Sequence, residues 1–214
     1  LWVMIKYYKA VKALKANVID GTPEMQAKLD LISQKCGIRR KVKLKITDCV
    51  ISPVTYGFFN HVILIPNREF DDRDFGYIAM HECCHIKNKD IWIKLLTEFY
   101  CGIFWWNPFV HLLKKDLTYC LELRCDKRVT SELSENRCTV YYEVLVTQMK
   151  AYKEQQESEE SDRETALKSA LVGMSFVTNE KGEKIVSRME MILYPKKKQT
   201  IINNIVTAFM ALLI

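Results

Sequence analysis

Two histidines and a glutamate form the most chemically distinctive group in this 214-residue sequence. His81, Glu82 and His85 lie in the segment HECCH, so the two histidines are four positions apart. On an α-helix, residues at i and i+4 share one face, where two imidazoles can bind one zinc ion. An HExxH pattern on a helix predicts a zinc peptidase site with the glutamate as general base. The sequence therefore predicts Zn²⁺ as cofactor, His81 and His85 as metal ligands, and Glu82 as the catalytic residue.

The residues before the motif favour this interpretation over a chance match of five residues. Ile78, Ala79 and Met80 precede it, which predicts a largely buried helix. Two histidines and a glutamate on such a helix are costly to desolvate without a partner, and a metal ion supplies one. A helix that merely carries two packed or exposed histidines is the weaker hypothesis.

The third protein ligand must come from outside the motif. Metzincins extend HExxH to a third histidine, but Ile91 stands at that position here. We predict Glu122 as the ligand, with Asp126 one helical turn later accepting a hydrogen bond from an imidazole N–H. The weaker candidates are Glu98, Asp116, His111 and the thiol of Cys84.

Hydrophobic periodicity and turn residues divide the chain into helices and a small sheet. Thr22 followed by Pro23 predicts the start of a helix that Gly37 ends, and Asp71 with Asp72 predicts the start of the helix that carries the motif. We therefore predict an α+β fold that is mostly helical. The predicted strands span 42–47, 54–59 and 62–65, and the predicted helices span 2–18, 22–37, 71–90, 107–133, 139–153 and 187–193.

Apolar residues beside lysines at both ends of the chain favour membrane attachment. Residues 1–5 are apolar and precede four lysines, and the lysines at 196–198 precede the mostly apolar segment 201–214. By the positive-inside rule, the domain between them faces the cytoplasm. Buried terminal helices are the alternative. The predicted regions are the end of a membrane-proximal helix at 1–20, a cytoplasmic domain at 21–195 and the start of a transmembrane helix at 196–214.

The segment 91–106 is strongly apolar, and its only charged residues are Lys94 and Glu98. It can be interpreted as a core helix, as a hairpin in the membrane interface or as a true span. Its length is short for a span. A span would also place the following helix on the other side of the membrane from His81. We therefore expect a buried or interfacial segment.

The overall composition limits the classes of function. With 49% hydrophobic residues the chain can bury a sizeable core, and a net charge of +6 does not by itself predict nucleic-acid binding. Eight cysteines occur without a CxxC pair, which argues against a zinc ribbon. We expect reduced, mostly buried thiols in a reducing compartment.

Several segments together resemble the BlaR/MecR family of membrane sensor peptidases. They are HECCH, then Asn107 with Pro108, then ELRCD at 122–126, and the stretch 52–66 is also similar, with His61 where proline is expected. The resemblance implies a zincin-like, gluzincin-type domain embedded in the cell membrane on its cytoplasmic side. It also implies a receptor that answers an external signal, often a β-lactam, by cleaving itself or a cytosolic repressor, which releases antibiotic-resistance genes. The chain contains no Ser-x-x-Lys sensor motif.

The strand region before Pro66 is the predicted substrate site. We expect Gly57, Phe58 and Phe59 to lie on an edge strand to which a peptide adds as a further strand. The expected partners are a peptide or protein substrate and the membrane, without direct nucleic-acid binding, and a homodimer stays open.

Two other functions are alternatives to a receptor peptidase. A housekeeping membrane protease similar to the CAAX prenyl proteases shares HExxH and ExxxD, but such enzymes enclose the site in a multi-span chamber that this chain does not supply. In a non-catalytic signalling relay, zinc only holds the helices together. A structural site favours four protein ligands and has no use for a base at Glu82.

Overall fold

A computed structural model describes residues 2–14, 18–50, 52–131 and 133–158. Over these ranges the predicted α+β class is confirmed, because helices surround one small sheet. The helix predicted at 187–193 and the terminal segment 196–214 lie outside the described residues. The helices are α1 (Trp2–Leu14), α2 (Pro23–Lys35), α3 (Asp72–Asn88), α4 (Asp90–Ile103), α5 (Pro108–Thr130) and α6 (Glu135–Ser158), and the strands are β1 (Val18–Asp20), β2 (Lys43–Thr47), β3 (Val54–Tyr56) and β4 (Val62–Pro66).

The sheet has the strand order β1-β2-β4-β3. Strands β2 and β4 are parallel, whereas β1 pairs antiparallel with β2 and β3 pairs antiparallel with β4. All five residues of β4 are buried, as expected for a central strand covered on both faces. Strand β3 therefore forms one edge of the sheet. This strand contacts α3, the helix that carries the HECCH motif.

One face of helix α3 packs against the sheet and helix α2. Phe75, Ala79, Cys83 and Ile86 recur at helical spacing and belong to one hydrophobic cluster with residues of α2, β2 and β4. At 100° per residue, His81 lies on the opposite side of α3 from Cys83. Packing of the apolar face thus turns the histidine face of the motif towards helix α5.

The boundaries of several elements differ from the sequence-based prediction. Helix α1 ends at Leu14, and Val18, the last residue of the helix predicted at 2–18, is the first residue of strand β1. Helix α3 ends at Asn88, because Lys89 adopts a left-handed conformation with φ of 58°. Helix α4 then starts at once, so most of the apolar segment 91–106 is helical. In the parts of the chain that the structure describes, no helix combines the length and hydropathy that a membrane crossing requires.

The edge strand does not contain Gly57, Phe58 and Phe59, which corrects the prediction for these residues. Strand β3 ends at Tyr56, and the three residues form the connection to β4. Gly57 has φ of 96°, which is outside the β region, and a Cβ there would lie 2.1 Å from the carbonyl oxygen of Asn60. The chain therefore turns at Gly57 instead of extending the strand.

Both backbone hydrogen-bonding groups of Gly57 are used inside the protein. Its N–H donates to the hydroxyl of Tyr7 at 3.0 Å, and its carbonyl accepts from Nδ1 of His61 at 2.9 Å. The edge available for pairing with another strand is accordingly β3 itself, Val54–Tyr56, and not the residues that follow it.

Candidate metal centre

Three donor atoms from two helices converge between α3 and α5. Nε2 of His81 lies 3.1 Å from Nε2 of His85, and Oε2 of Glu122 lies 3.3 Å from the first and 3.6 Å from the second. His81 and Glu122 are buried. The ELRCD helix thus brings Glu122 to the histidine pair, as the sequence analysis proposed, and these three residues can hold one metal ion.

The spacing of these three atoms suits a small tetrahedral ion. Zinc bonds of about 2.0–2.1 Å at tetrahedral angles place neighbouring ligand atoms about 3.3 Å apart. The three observed separations, 3.1, 3.3 and 3.6 Å, lie close to that value. Two imidazoles and one carboxylate also leave the fourth position open, which is the ligand count of catalytic zinc sites. The residues present therefore fit a zinc ion.

The remaining ring nitrogen of His81 is held by two residues. Nδ1 lies 2.9 Å from the hydroxyl of Tyr141 and 3.3 Å from Oδ1 of Asp126. The Tyr141 hydroxyl itself donates to Asp126 at 2.6 Å, so its proton is already used. Nδ1 must then carry a proton and donate it. When the ring loses its other proton to bind a metal, the lone pair is therefore on Nε2, which faces the other two donors.

The second histidine has an equivalent arrangement. Nδ1 of His85 lies 2.7 Å from Oδ2 of Asp90, and the other oxygen of Asp90 is paired with Arg124. Asp90 is almost fully buried and follows the break at Lys89. A buried carboxylate that accepts the Nδ1 proton fixes the orientation of the ring and directs Nε2 of His85 to the centre.

A thiol lies close to this second histidine without forming a separate site. Sγ of Cys125 is 3.3 Å from Nδ1 of His85 and 3.7 Å from Oδ2 of Asp90. Burial, followed by the charges of Asp90 and Glu122, raises the pKa of the Cys125 thiol. A neutral thiol is a poor metal ligand, and Nδ1 of His85 is already engaged with Asp90. Cys125 therefore packs beside the histidine.

The charges around the centre are strongly coupled. Burial lowers the pKa of His81, but Asp126 and Glu122 outweigh it and raise the pKa to about 10. The pKa of His85 is raised too, because Glu122 and Asp90 outweigh burial and the repulsion by His81. Burial raises the pKa of Glu122, but His85 and His81 outweigh it and hold the pKa well below the usual range. The carboxylates thus create a site that favours positive charge.

The second oxygen of Glu122 faces a lysine from helix α4. Nζ of Lys94 lies 3.6 Å from Oε1 of Glu122. Since Oε1 is directed to Lys94, Oε2 is the oxygen that faces the two histidines. Lys94 thereby orients the carboxylate for binding a metal through one oxygen.

The carboxylate of Glu82 contacts the edge strand of the sheet. Its Oε2 accepts a hydrogen bond of 2.5 Å from the hydroxyl of Thr55, the middle residue of β3. Glu82 is buried, as are the flanking residues Val54 and Tyr56 of the strand. The glutamate of the motif is therefore held by β3, which is an edge strand of the sheet in the part of the chain that the structure describes.

The weaker ligand candidates lie elsewhere. Glu98 forms an ion pair with Lys114 at 2.5 Å, and the exposed His111 contacts the backbone oxygen of Trp105. Asp116 is exposed on α5, and neither it nor Cys84 belongs to the donor group that includes Glu122.

Four further residues at the centre were missed by the sequence analysis: Asp90, Lys94, Thr55 and Tyr141. Asp90 follows His85 by five positions, which is outside helical i, i+4 spacing, and it lies at the predicted end of the helix. Lys94 is one of only two charges in the apolar segment 91–106, and that isolation was an available signal. Thr55 and Tyr141 carry no local signal, because distant segments bring them to the site.

Comparison with known proteins assigns the chain to a family. The sequence profile described as BlaR1 peptidase M56 matches residues 1–172. Regulatory protein BlaR1 of Staphylococcus aureus is 25% identical over 158 residues, which cover 68% of this chain and 27% of that protein. Methicillin resistance mecR1 protein of S. aureus (strain Mu50 / ATCC 700699) is 23% identical over 150 residues, or 68% of this chain and 26% of the relative. Regulatory protein BlaR1 of Bacillus licheniformis is 26% identical over 136 residues, or 62% and 23%.

The chain spans about a quarter of the length of these curated relatives. The match of the family profile, however, covers most of the chain and includes the histidine pair, Glu82 and Glu122. On this ground, the chain belongs to the BlaR1 peptidase M56 family.

Proposed function

We propose that this chain is the zinc-dependent endopeptidase domain of a membrane signal-transducing receptor, and that it cleaves itself or a cytosolic repressor. The convergence of Nε2 of His81, Nε2 of His85 and Oε2 of Glu122 within 3.6 Å carries the proposal. Membership of a peptidase family and the names of its curated relatives support the class of activity. The arrangement of the HECCH helix against a small sheet is compatible with a zincin-like, gluzincin-type fold.

The residues of the centre divide into metal-binding and proton-transferring groups. His81, His85 and Glu122 hold the zinc ion, with Asp126, Tyr141 and Asp90 fixing the two rings. Bound there, zinc acts as a Lewis acid that acidifies water and polarises a peptide carbonyl.

Glu82 acts as the general base at the oxygen that Thr55 does not occupy. With Oε2 bound to the Thr55 hydroxyl, Oε1 is the atom that takes a proton from the attacking water and passes it to the leaving amine. Burial of Glu82 excludes bulk water from this transfer.

The substrate peptide binds along strand β3. This strand has β4 on one side only, so a peptide can pair with its other side by main-chain hydrogen bonds. Because Thr55 on β3 contacts the base directly, a peptide bound on this edge lies next to Glu82.

We further propose that the domain lies on the cytoplasmic side of the cell membrane. The lysines after residue 5 and at 196–198 border apolar segments, which is the arrangement that the positive-inside rule describes. In such a receptor, an external signal such as a β-lactam would control the cytoplasmic peptidase, and cleavage of a repressor would release resistance genes.

The test compares the wild-type chain with Glu82→Gln at equal zinc content. Glutamine keeps the size of the side chain and removes the base, so peptide and self-cleavage should fall by more than 100-fold while zinc stays bound. Glu69→Gln is a matched control on a residue that lies outside the centre. Equal activity of wild type and Glu82→Gln would overturn the base assignment. Zinc binding without cleavage of any substrate by the wild type would favour the non-catalytic relay.

A further inference from the structure

Helices α4 and α5 form a hairpin whose polar residues face inward and whose apolar residues face outward. Charged side chains of the two helices meet between them: Lys114 of α5 pairs with Glu98 of α4 at 2.5 Å, and Lys94 of α4 reaches Glu122 of α5. The side chains of Lys94 and Glu98 are only 13% and 15% exposed. A hairpin in water normally shows the reverse distribution.

The outward face of α4 repeats at helical spacing. Large apolar residues lie at positions 92, 96, 99, 100 and 103, and each of them is exposed. The two charged residues between the ends of this helix, Lys94 and Glu98, are on the other side and one turn apart. The helix is therefore amphipathic. Its apolar side is exposed, although Trp92 at its beginning also contacts Phe58.

The apolar surface continues over the turn and into α5. At the turn Trp105 and Trp106 are 71% and 63% exposed, and Phe109 at the start of α5 is 74% exposed. Leu112 and Leu113 are exposed as well, and the first exposed charges on α5 follow at positions 115 and 116. The exposed apolar residues between positions 92 and 113 together form the hairpin surface.

We propose that the hairpin surface inserts into the interfacial region of a lipid bilayer. Lys94 and Glu98, the two charged residues of this segment, both form ion pairs between the helices. The outer surface therefore carries large apolar side chains, which an apolar environment solvates better than water does. Tryptophan and phenylalanine, which occupy the turn, are residues that helices in membrane interfaces place on their apolar side. Residues 92–103 of α4 extend about 17 Å, roughly half of a hydrocarbon core, so the hairpin enters one leaflet without crossing.

This insertion would place the metal centre at the membrane surface. The base of the hairpin touches the centre through Lys94, and Trp92 packs against Phe58 in the connection after β3, with ring centroids 4.9 Å apart. If the chain cleaves peptides as proposed above, its substrate must present the scissile bond close to the bilayer. The insertion itself does not depend on peptidase activity.

The experiment uses tryptophan fluorescence of the full chain reconstituted into vesicles of phosphatidylcholine and phosphatidylglycerol. The chain has four tryptophans, so Trp2→Phe combined with Trp92→Phe leaves Trp105 and Trp106 as reporters. Lipids with bromine on the acyl chains should quench at least half of this emission, and aqueous acrylamide should quench little. If that protein does not fold, Trp105→Phe with Trp106→Phe gives the same information by subtraction from the wild type.

A matched reporter distinguishes the hairpin from general contact with lipid. Leu31→Trp in a chain without its native tryptophans places the fluorophore at an exposed apolar position on α2. It should be quenched by acrylamide and not by brominated lipid. Equal quenching of both reporters by brominated lipid overturns the proposal, as does acrylamide quenching of Trp105 and Trp106 in vesicles. So does a lipid-free dimer in which these two residues become shielded, since a second copy would then cover the surface. Zinc content and peptide hydrolysis are measured on the same vesicles. Because insertion is read from quenching and the proposed function from hydrolysis, the failure of one proposal can be distinguished from the failure of the other.

Discussion

The hydroxyl oxygen of Thr55 lies 2.5 Å from Oε2 of Glu82, and this contact joins the edge strand β3 to the helix that carries both histidines. A hydrogen bond to a buried carboxylate holds it in one orientation, which decides the oxygen that faces the substrate. Thr55 is thus a positioning residue for the proposed base, although it does not touch the metal-binding group.

Thr55→Val should lower kcat for peptide cleavage by about tenfold or more, since a hydrogen bond to a charged group contributes about 1.5–3 kcal/mol. Zinc content should not change, because Thr55 contacts none of the three donors. Thr55→Ser keeps the hydroxyl and should restore most of the activity. Thr147→Val is the control, because that hydroxyl bonds only to Glu143 of its own helix. A valine variant with wild-type kcat, or a serine variant as slow as valine, would show that the contact does not position the base.

The two buried carboxylates behind the histidines should set zinc affinity. Asp126→Asn and Asp90→Asn keep the size of the side chain but weaken its hold on the Nδ1 proton of His81 and His85, respectively. We expect each change to raise the Kd for zinc by about 10–100-fold, measured by competition with a chelator. Asp116→Asn, at an exposed position on the same helix as Asp126, should leave it unchanged. Wild-type affinity in both buried variants would remove their proposed role.

Zinc binding should release protons and become tighter as pH rises. In the metal-free chain the pKa of His81 is about 10, so this ring is charged at neutral pH and must lose a proton to bind zinc. Calorimetry at pH 7 in buffers of different ionisation enthalpy should show release of at least one proton. His81→Gln should release fewer protons than wild type. A binding enthalpy that is independent of the buffer would contradict the raised pKa.

The same group makes the stability of the metal-free protein depend on pH. Because the pKa of His81 is raised from 6.5 to about 10, its stabilising contribution is fully present below pH 6.5. It is lost as pH rises through 10. Chemical denaturation of the metal-free chain should therefore show a steeper fall in the free energy of unfolding between pH 7 and 10 for wild type than for His81→Gln. Parallel curves for the two proteins would contradict this expectation.

Gly57→Ala should destabilise the turn that ends strand β3. Its φ of 96° disfavours a side chain, and a Cβ would lie 2.1 Å from backbone oxygen of Asn60. A loss of about 1–3 kcal/mol in the free energy of unfolding is expected from strain of this kind. Gly102→Ala is the control, because no atom lies within 4 Å of a Cβ built there and alanine favours the helix. Equal denaturation midpoints for the two variants would mean that the turn relaxes without cost.

The parts of the centre that follow helical periodicity were predictable from the sequence. His81 and His85 are four positions apart on one helix, and Glu122 and Asp126 are four positions apart on another. Helix geometry alone places the members of each pair on one face. Asp90 escaped because the chain breaks at Lys89, where a lysine takes the left-handed conformation that usually calls for glycine. No local pattern signals that break.

The sheet shows a second limit of the sequence. Strand β1 has three residues and pairs only because β2 lies beside it, so tertiary contacts decide its conformation. Phe58 and Phe59 favour a strand by propensity, yet the chain turns at Gly57, directly before them. The sequence left segment 91–106 open between a buried and an interfacial helix, because apolar spacing at 92, 96 and 99 is the same for a helix that faces a core and one that faces outward.

X-ray absorption at the zinc edge tests the central claim most directly, with the full chain loaded with one equivalent of zinc. We expect scattering from two imidazoles and from oxygen ligands, with no sulfur, and a loss of one imidazole in His85→Ala. The chain contains eight cysteines, and Cys84 and Cys125 are buried near the centre. Sulfur ligation is therefore a real alternative that this measurement can detect. A zinc–sulfur distance of about 2.3 Å, or a spectrum unchanged in His85→Ala, would contradict the assignment of His81, His85 and Glu122 as the metal site.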